Sequence, residues 1–91
     1  MEQLDGNAVG GLLHEVYGAE MTTAATECAH CGAAGMLAEC TVYLGGPGAV
    51  VRCRTCGGVL LVVVEIRGVR CVDSRGLSRL TASRRGTTAG P

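Results

Sequence analysis

Two pairs of cysteines constrain the fold of this chain more than any other feature of its sequence. The first pair is Cys28 and Cys31, the second is Cys53 and Cys56, and two residues separate the cysteines of each pair. One tight turn can then direct both sulfurs at one point, and two such turns form the tetrahedral thiolate cage that Zn²⁺ prefers. A glycine follows the second cysteine of each pair. Glycine is favoured where a turn requires a positive φ. We therefore predict a structural zinc site with these four cysteines as its ligands.

The composition explains why such a chain needs a metal. Its 91 residues include no Phe, no Trp and two Tyr, so the core must be built from smaller apolar side chains. A core of this size rarely supplies more than about 3 to 5 kcal/mol, whereas structural zinc contributes on the order of 10 to 16 kcal/mol in small finger peptides. We expect metal binding to be part of the folding reaction.

The predicted site is closed, and this argues against an enzyme. Four protein ligands leave no position at which the metal activates a water molecule. Neither a paired-carboxylate site nor a Ser/His/Asp set can be assembled from the remaining residues, and the glycine-rich segment 45–48 lacks the Lys-Ser/Thr of a phosphate loop. Iron is the alternative metal, because rubredoxin-like one-iron electron carriers use the same paired knuckles. Those proteins pack aromatic residues around their iron, so we favour zinc.

The remaining cysteines and the histidines have weaker assignments. Cys40 and Cys71 lie in β-type stretches and are predicted to be small buried hydrophobes. The expected strand register places Cys40 near Cys53, as a spare ligand or a redox-sensitive neighbour. His30 lies inside the first pair and is an alternative ligand, whereas His14 is expected in solvent.

The N-terminal segment predicts an amphipathic helix over residues 7–21, with Asp5 or Asn7 as its N-cap. Three glycines in it each cost roughly 1 kcal/mol relative to alanine, so the helix needs a surface to pack on. Its apolar stripe consists of Ala8, Val9, Leu12, Leu13, Val16 and Tyr17.

The rest of the chain predicts antiparallel strands. Segments 40–44 and 49–52 form a hairpin in which Leu44 faces Ala49. The run Val59–Ile66 is unbroken and rich in β-branched residues, which predicts a strand buried on both faces. A turn at Arg67 and Gly68 then leads into segment 69–73 and places Glu65 opposite Arg70.

These elements predict a small metal-bound α+β protein. Residues 1–22 contain the N-terminal helix, residues 23–80 form a zinc ribbon of three to four antiparallel strands, and residues 81–91 are expected to be a disordered tail. One face of the hairpin that follows the second cysteine pair should cover the ribbon core, and the helix should cover the other. If the helix lies elsewhere, this hairpin becomes a partner interface.

Charge is unevenly distributed along the chain. Residues 1–39 carry six acidic residues and no arginine, whereas residues 40–91 carry all eight arginines and two acidic residues. A nucleic-acid-binding regulator is therefore an alternative function. The zero net charge and the scarcity of aromatic residues for base stacking favour a solvated basic face instead.

The cellular compartment is predicted from what the sequence lacks. The first residues contain no basic segment followed by a long apolar one, which argues against export. The longest apolar run, Val59–Val64, is too short to cross a bilayer. We expect a cytoplasmic protein without membrane contact. In a reducing cytoplasm, six cysteines indicate metal binding in preference to disulfide formation.

Several segments together resemble a family of short uncharacterised bacterial zinc-ribbon proteins from high-GC genomes. The resemblance covers roughly residues 4–80 and implies a ribbon with metal at the four paired cysteines. It assigns no activity, but it suggests an accessory subunit with an oxidoreductase as partner. It is carried by Leu4-Asp5-Gly6-Asn7-Ala8, Gly18-Ala19-Glu20-Met21-Thr22, the two cysteine pairs and Arg75-Gly76.

The function that we expect from the sequence is a non-catalytic zinc-ribbon adaptor that mediates a protein–protein interaction. The candidate docking surfaces are the apolar stripe of the helix and the hydrophobic strand Val59–Ile66.

Overall fold

The computed structural model describes residues 2–45 and 48–82. They form a small α+β fold with one short α-helix and two antiparallel sheets. In chain order the elements are β1 (Glu2–Asp5), a 3-10 turn (Gly6–Val9), α1 (Gly10–Tyr17), β2 (Ala25–Cys28), β3 (Ala34–Met36), a 3-10 turn (Leu37–Glu39), β4 (Thr41–Gly45), β5 (Gly48–Arg52), β6 (Val59–Ile66), β7 (Val69–Asp73) and β8 (Leu77–Thr81).

The larger sheet has five strands in the order β1-β4-β5-β6-β7, and the smaller sheet has the order β3-β2-β8. The predicted register of Leu44 with Ala49 is confirmed, as is that of Glu65 with Arg70. The described residues contain eight strands, so the expected ribbon of three to four strands was too small. Strands β1, β2, β3 and β8 were not predicted. Of these, β1 and β8 each pair with a strand distant in sequence, and local alternation does not reveal such pairing.

The helix is shorter than its apolar pattern suggested. Asp5 accepts a hydrogen bond from the Asn7 amide, but the turn that it caps is 3-10 before the α-helix begins at Gly10. Gly18 ends the helix with a φ of 71°, and its amide donates to the His14 carbonyl. A left-handed residue is the usual end of a helix, and glycine adopts it without steric cost.

One face of the five-stranded sheet is the core. Its central side chains are buried, together with Leu13 of α1 and Leu37 of the second 3-10 turn. Arg70, which points to this side, forms an exposed ion pair with Glu15 of the helix at 2.6 Å, consistent with a helix that lies on this side of the sheet. The helix thus lies on this inner face, whose fully covered sheet residues are Val42, Ala49, Val51, Leu61 and Val63.

The opposite face of this sheet has no covering element among residues 2–45 and 48–82. Strand alternation and register bring seven side chains together on it, and Ile66 and Val69 are 56% and 61% exposed. The expectation that β6 is buried on both faces was wrong, because the helix lies on the core side. We call this surface the outer face; it comprises Tyr43, Val50, Val62, Val64, Ile66, Val69 and Cys71.

The end of the chain departs from the predicted boundary. Residue Thr81 belongs to β8, which pairs with β2, so the ordered part extends into the segment expected to be a tail. Residues 83–91 of that predicted tail lie outside the described residues.

Candidate metal centre

Both cysteine pairs lie in turns of the same construction, which we call the first knuckle (residues 28–33) and the second knuckle (residues 53–58). In the first knuckle the Cys28 amide donates to the Ala33 carbonyl, and the Gly32 amide donates back to the Cys28 carbonyl at 2.9 Å. In the second, the Cys53 amide donates to the Gly58 carbonyl at 2.8 Å. Gly32 and Gly57 have φ values of 78° and 77°, so each turn requires its glycine.

Backbone amides in each knuckle point at the sulfur of its first cysteine. The amides of His30 and Cys31 lie 3.3 and 3.5 Å from the Cys28 sulfur. Those of Thr55 and Cys56 lie 3.3 and 3.4 Å from the Cys53 sulfur. N–H donors stabilise a thiolate relative to a thiol, and the thiolate is the form that binds metal.

The knuckles bring four sulfurs to one point. All four Sγ atoms lie within 4.8 Å of one another. Two contacts join the two knuckles: the Sγ atoms of Cys28 and Cys56 are 3.7 Å apart, as are those of Cys31 and Cys53. A tetrahedron with Zn–S bonds of about 2.3 Å has S···S edges of about 3.8 Å. The residues predicted as ligands therefore form a cluster that could hold a tetrahedral metal ion.

The electrostatics of Cys53 suit this role. The Cys56 amide, and secondly that of Thr55, outweigh burial and lower the pKa of Cys53 to about 6. The turn therefore favours the thiolate form of Cys53, which is the form that binds a metal. Cys28 and Cys53 are buried while Cys31 and Cys56 are exposed, so the cluster lies at the edge of the core with one side towards solvent.

Two side chains next to the cysteines hold the second knuckle in place. The His30 ring packs on Gly58, where a Cβ would lie 2.6 Å from the His30 Cδ2, and its Nε2 is 3.2 Å from the Val59 carbonyl oxygen. Arg52 donates from Nη1 to the Gly57 carbonyl at 2.8 Å. The ring nitrogen of His30 is thus engaged away from the sulfurs. The sequence made His30 an alternative ligand, but it did not reveal that His30 and Arg52 join the knuckles to their surroundings.

The two cysteines outside the cluster differ in environment. Cys40 is buried as predicted, and desolvation, followed by the nearby Cys53, raises the pKa of its thiol. Cys71 was also predicted to be buried, and this was wrong: it lies exposed on the outer face, opposite Val64. The β4–β5 ladder ends at Thr41 and Arg52, so Cys40 precedes the paired strand and is not itself a ladder partner of Cys53. His14 is exposed on the helix, as expected.

A comparison with family models matches residues 1–85 to a family of unknown function, DUF6510. The chain belongs to this family. The match covers both knuckles and all eight described strands. No curated protein and no solved structure matches the chain.

The described part of this DUF6510 member contains no helix with the length and apolar character needed to cross a membrane.

Proposed function

We propose that this protein is a non-catalytic adaptor: a structural zinc ion holds the knuckles, and the outer face of the five-stranded sheet docks another protein. The observation that carries the proposal is the outer face itself. Its seven neighbouring side chains are apolar or thiol-bearing, and no described element of the chain lies over them. Contiguous exposed apolar patches on small proteins mark interaction sites, because their contact with water is unfavourable.

The cysteine cluster supports the structural part of the proposal. Four thiolates fill every position of a tetrahedral ion, so no ligand position is left for a substrate. Zinc is proposed over iron because Tyr43 and Tyr17 are the only aromatic residues in the chain, which leaves no aromatic shell like that of a rubredoxin. Metal analysis with a visible spectrum separates the two, since a ferric tetrathiolate is red and zinc is colourless.

The docking role is tested at Val64, which lies in the middle of the outer face between Gly48 of β5 and Cys71 of β7. The chain, its Val64→Asp variant and a Thr23→Asp control are immobilised and exposed to lysate of the source cell. Thr23 is exposed in the turn before β2, away from this sheet. We expect a set of proteins that the parent and the control retain and that Val64→Asp loses, as quantified by mass spectrometry.

Retention of the same proteins by Val64→Asp would refute docking through the outer face, and so would the absence of any retained protein. The variants are compared at equal metal content and with matching circular dichroism. If Val64→Asp does not fold, Val64→Thr introduces a hydroxyl at nearly constant shape and keeps a β-branched residue in the strand.

A further inference from the structure

The outer face has arginines along its margin. Arg52 lies on this face, with its guanidinium 5.8 Å from the centre of the Tyr43 ring. Arg67 lies in the β6–β7 turn at the far end of the face. Arg75 follows β7 and binds Asp73 through Nη2 at 2.8 Å. We refer to Arg52, Arg67 and Arg75 as the rim arginines.

The acidic side chains of the described chain do not balance this rim. Asp73 is the one carboxylate on the outer side of β7, and Arg75 already binds it. Glu15 and Glu65 both lie against Arg70 on the core side of the sheet. Glu27 lies 3.8 Å from Arg79 on the three-stranded sheet, and three further acids accept backbone amides of their own loops: Asp5, Glu20 and Glu39.

We infer, on the basis of the docking role proposed above, that the partner segment is acidic and amphipathic. Its apolar side chains pack on the outer face, and its carboxylates bind the rim arginines. The apolar contact supplies most of the affinity, because exposed ion pairs contribute little. The charges select the partner and fix its orientation.

The same charge pattern argues against the other occupants. A second copy of this chain would bring the rim arginines of both copies together, and Asp73, the carboxylate on the outer side of β7, already binds Arg75. A nucleic acid would satisfy the arginines, but its phosphates would lie over valine and isoleucine side chains that prefer an apolar partner. The surface is thus complementary to carboxylates that flank an apolar stripe.

The test begins with a display library of random peptides selected on the metal-loaded full chain, with Val64→Asp as the counter-selection. We expect the enriched peptides to combine apolar residues with Asp and Glu. The strongest is then synthesised, together with a version in which Lys replaces each acidic residue, and both are titrated by fluorescence anisotropy at low and high salt.

Substitutions of the rim arginines test whether these residues bind the acidic peptide. Arg67→Asn removes one charge and suits the φ of 54° at this position, since asparagine tolerates left-handed backbone. Arg75→Gln removes a second charge. Each substitution should lower the affinity for the acidic peptide about two- to fivefold at low salt and much less at high salt. The control, Arg79→Gln on the three-stranded sheet, should not change its affinity.

Other outcomes would overturn the inference. Enrichment of Lys or Arg, equal binding of the acidic and lysine peptides, or equal effects of Arg67→Asn and Arg79→Gln would show that the rim does not select acids. A dimer in sedimentation equilibrium that Val64→Asp disperses would assign the face to a second copy. The lysate experiment with Val64→Asp tests the docking role independently of the peptide selection. If the lysate experiment finds partners but the selected peptides show no preference for acidic residues, the docking role stands and only this inference is refuted.

Discussion

At the scale of single residues, the knuckle glycines and amides matter as much as the sulfurs. Cys53 receives two amide hydrogen bonds, and these N–H groups lower the pKa of its thiol because the turn directs them at the sulfur. The sequence predicts this arrangement because Cys-X-X-Cys-Gly specifies a turn within a few residues. It does not predict that His30 contacts Val59, since that contact depends on how the two knuckles meet.

Replacement of Cys53 by serine should release the metal. If structural zinc supplies on the order of 10 to 16 kcal/mol through four ligands, the loss of one costs about 3 kcal/mol or more. Cys71→Ser is the matched control, because Cys71 is a cysteine outside the cluster. Metal content by plasma emission after dialysis should be near stoichiometric for the control and strongly reduced for Cys53→Ser. Equal metal content in the two variants would contradict the assignment of Cys53 as a ligand.

At the scale of elements, the sequence predicts the hairpins better than their environment. The β4–β5 and β6–β7 registers follow from short loops and alternating side chains. Both residues of the β6–β7 turn, Arg67 and Gly68, have positive φ, as a tight hairpin turn requires. The apolar run of β6 indicates a strand but does not encode how many of its faces are covered. That depends on where the helix packs, and the burial of Leu13 in the core places it on the core side.

The helix gives a paired test of this packing. Leu13 is 1% exposed, so Leu13→Ala should lower the free energy of unfolding by about 2 to 5 kcal/mol. A Cβ at Gly11 would have no neighbour within 4 Å. Gly11→Ala should therefore raise the free energy of unfolding by up to about 1 kcal/mol, because alanine has the higher helix propensity. Urea denaturation of the metal-loaded variants measures both changes. If Leu13→Ala and Gly11→Ala changed the free energy of unfolding by similarly small amounts, the helix would not be packed tightly against the sheet.

At the scale of the whole molecule, the cysteine cluster joins parts of the fold that are far apart in sequence. The first knuckle continues β2 of the small sheet, and the second continues β5 of the large sheet. An ion bound by both would therefore fasten one sheet to the other. The cysteine spacing predicts that the knuckles converge, but not that each ends a strand of a different sheet.

Removal of the metal should therefore unfold the chain as a unit. A strong chelator at neutral pH is expected to abolish the strand signal in circular dichroism, and readdition of zinc should restore it. Acid should act similarly, because protons compete with the metal for the thiolates. The amides that lower the pKa of Cys53 to about 6 favour its thiolate, and a bound metal opposes protonation further, so the loss of metal is expected below about pH 6. A chelated chain with an unchanged spectrum would show that the core folds without the ion.

The pairing of β8 with β2 also bears on the time at which the protein matures during synthesis. β2 carries the first knuckle, and its two neighbours are β3 and the last described strand of the chain. The Gly76 carbonyl, just before β8, accepts the amide of Ala29 inside the first knuckle at 2.8 Å. A growing chain at the ribosome exposes its first thiol pair long before these contacts exist. The first knuckle thus acquires this support only after β8 has emerged, and stable capture of a metal by the four cysteines would follow the synthesis of β8.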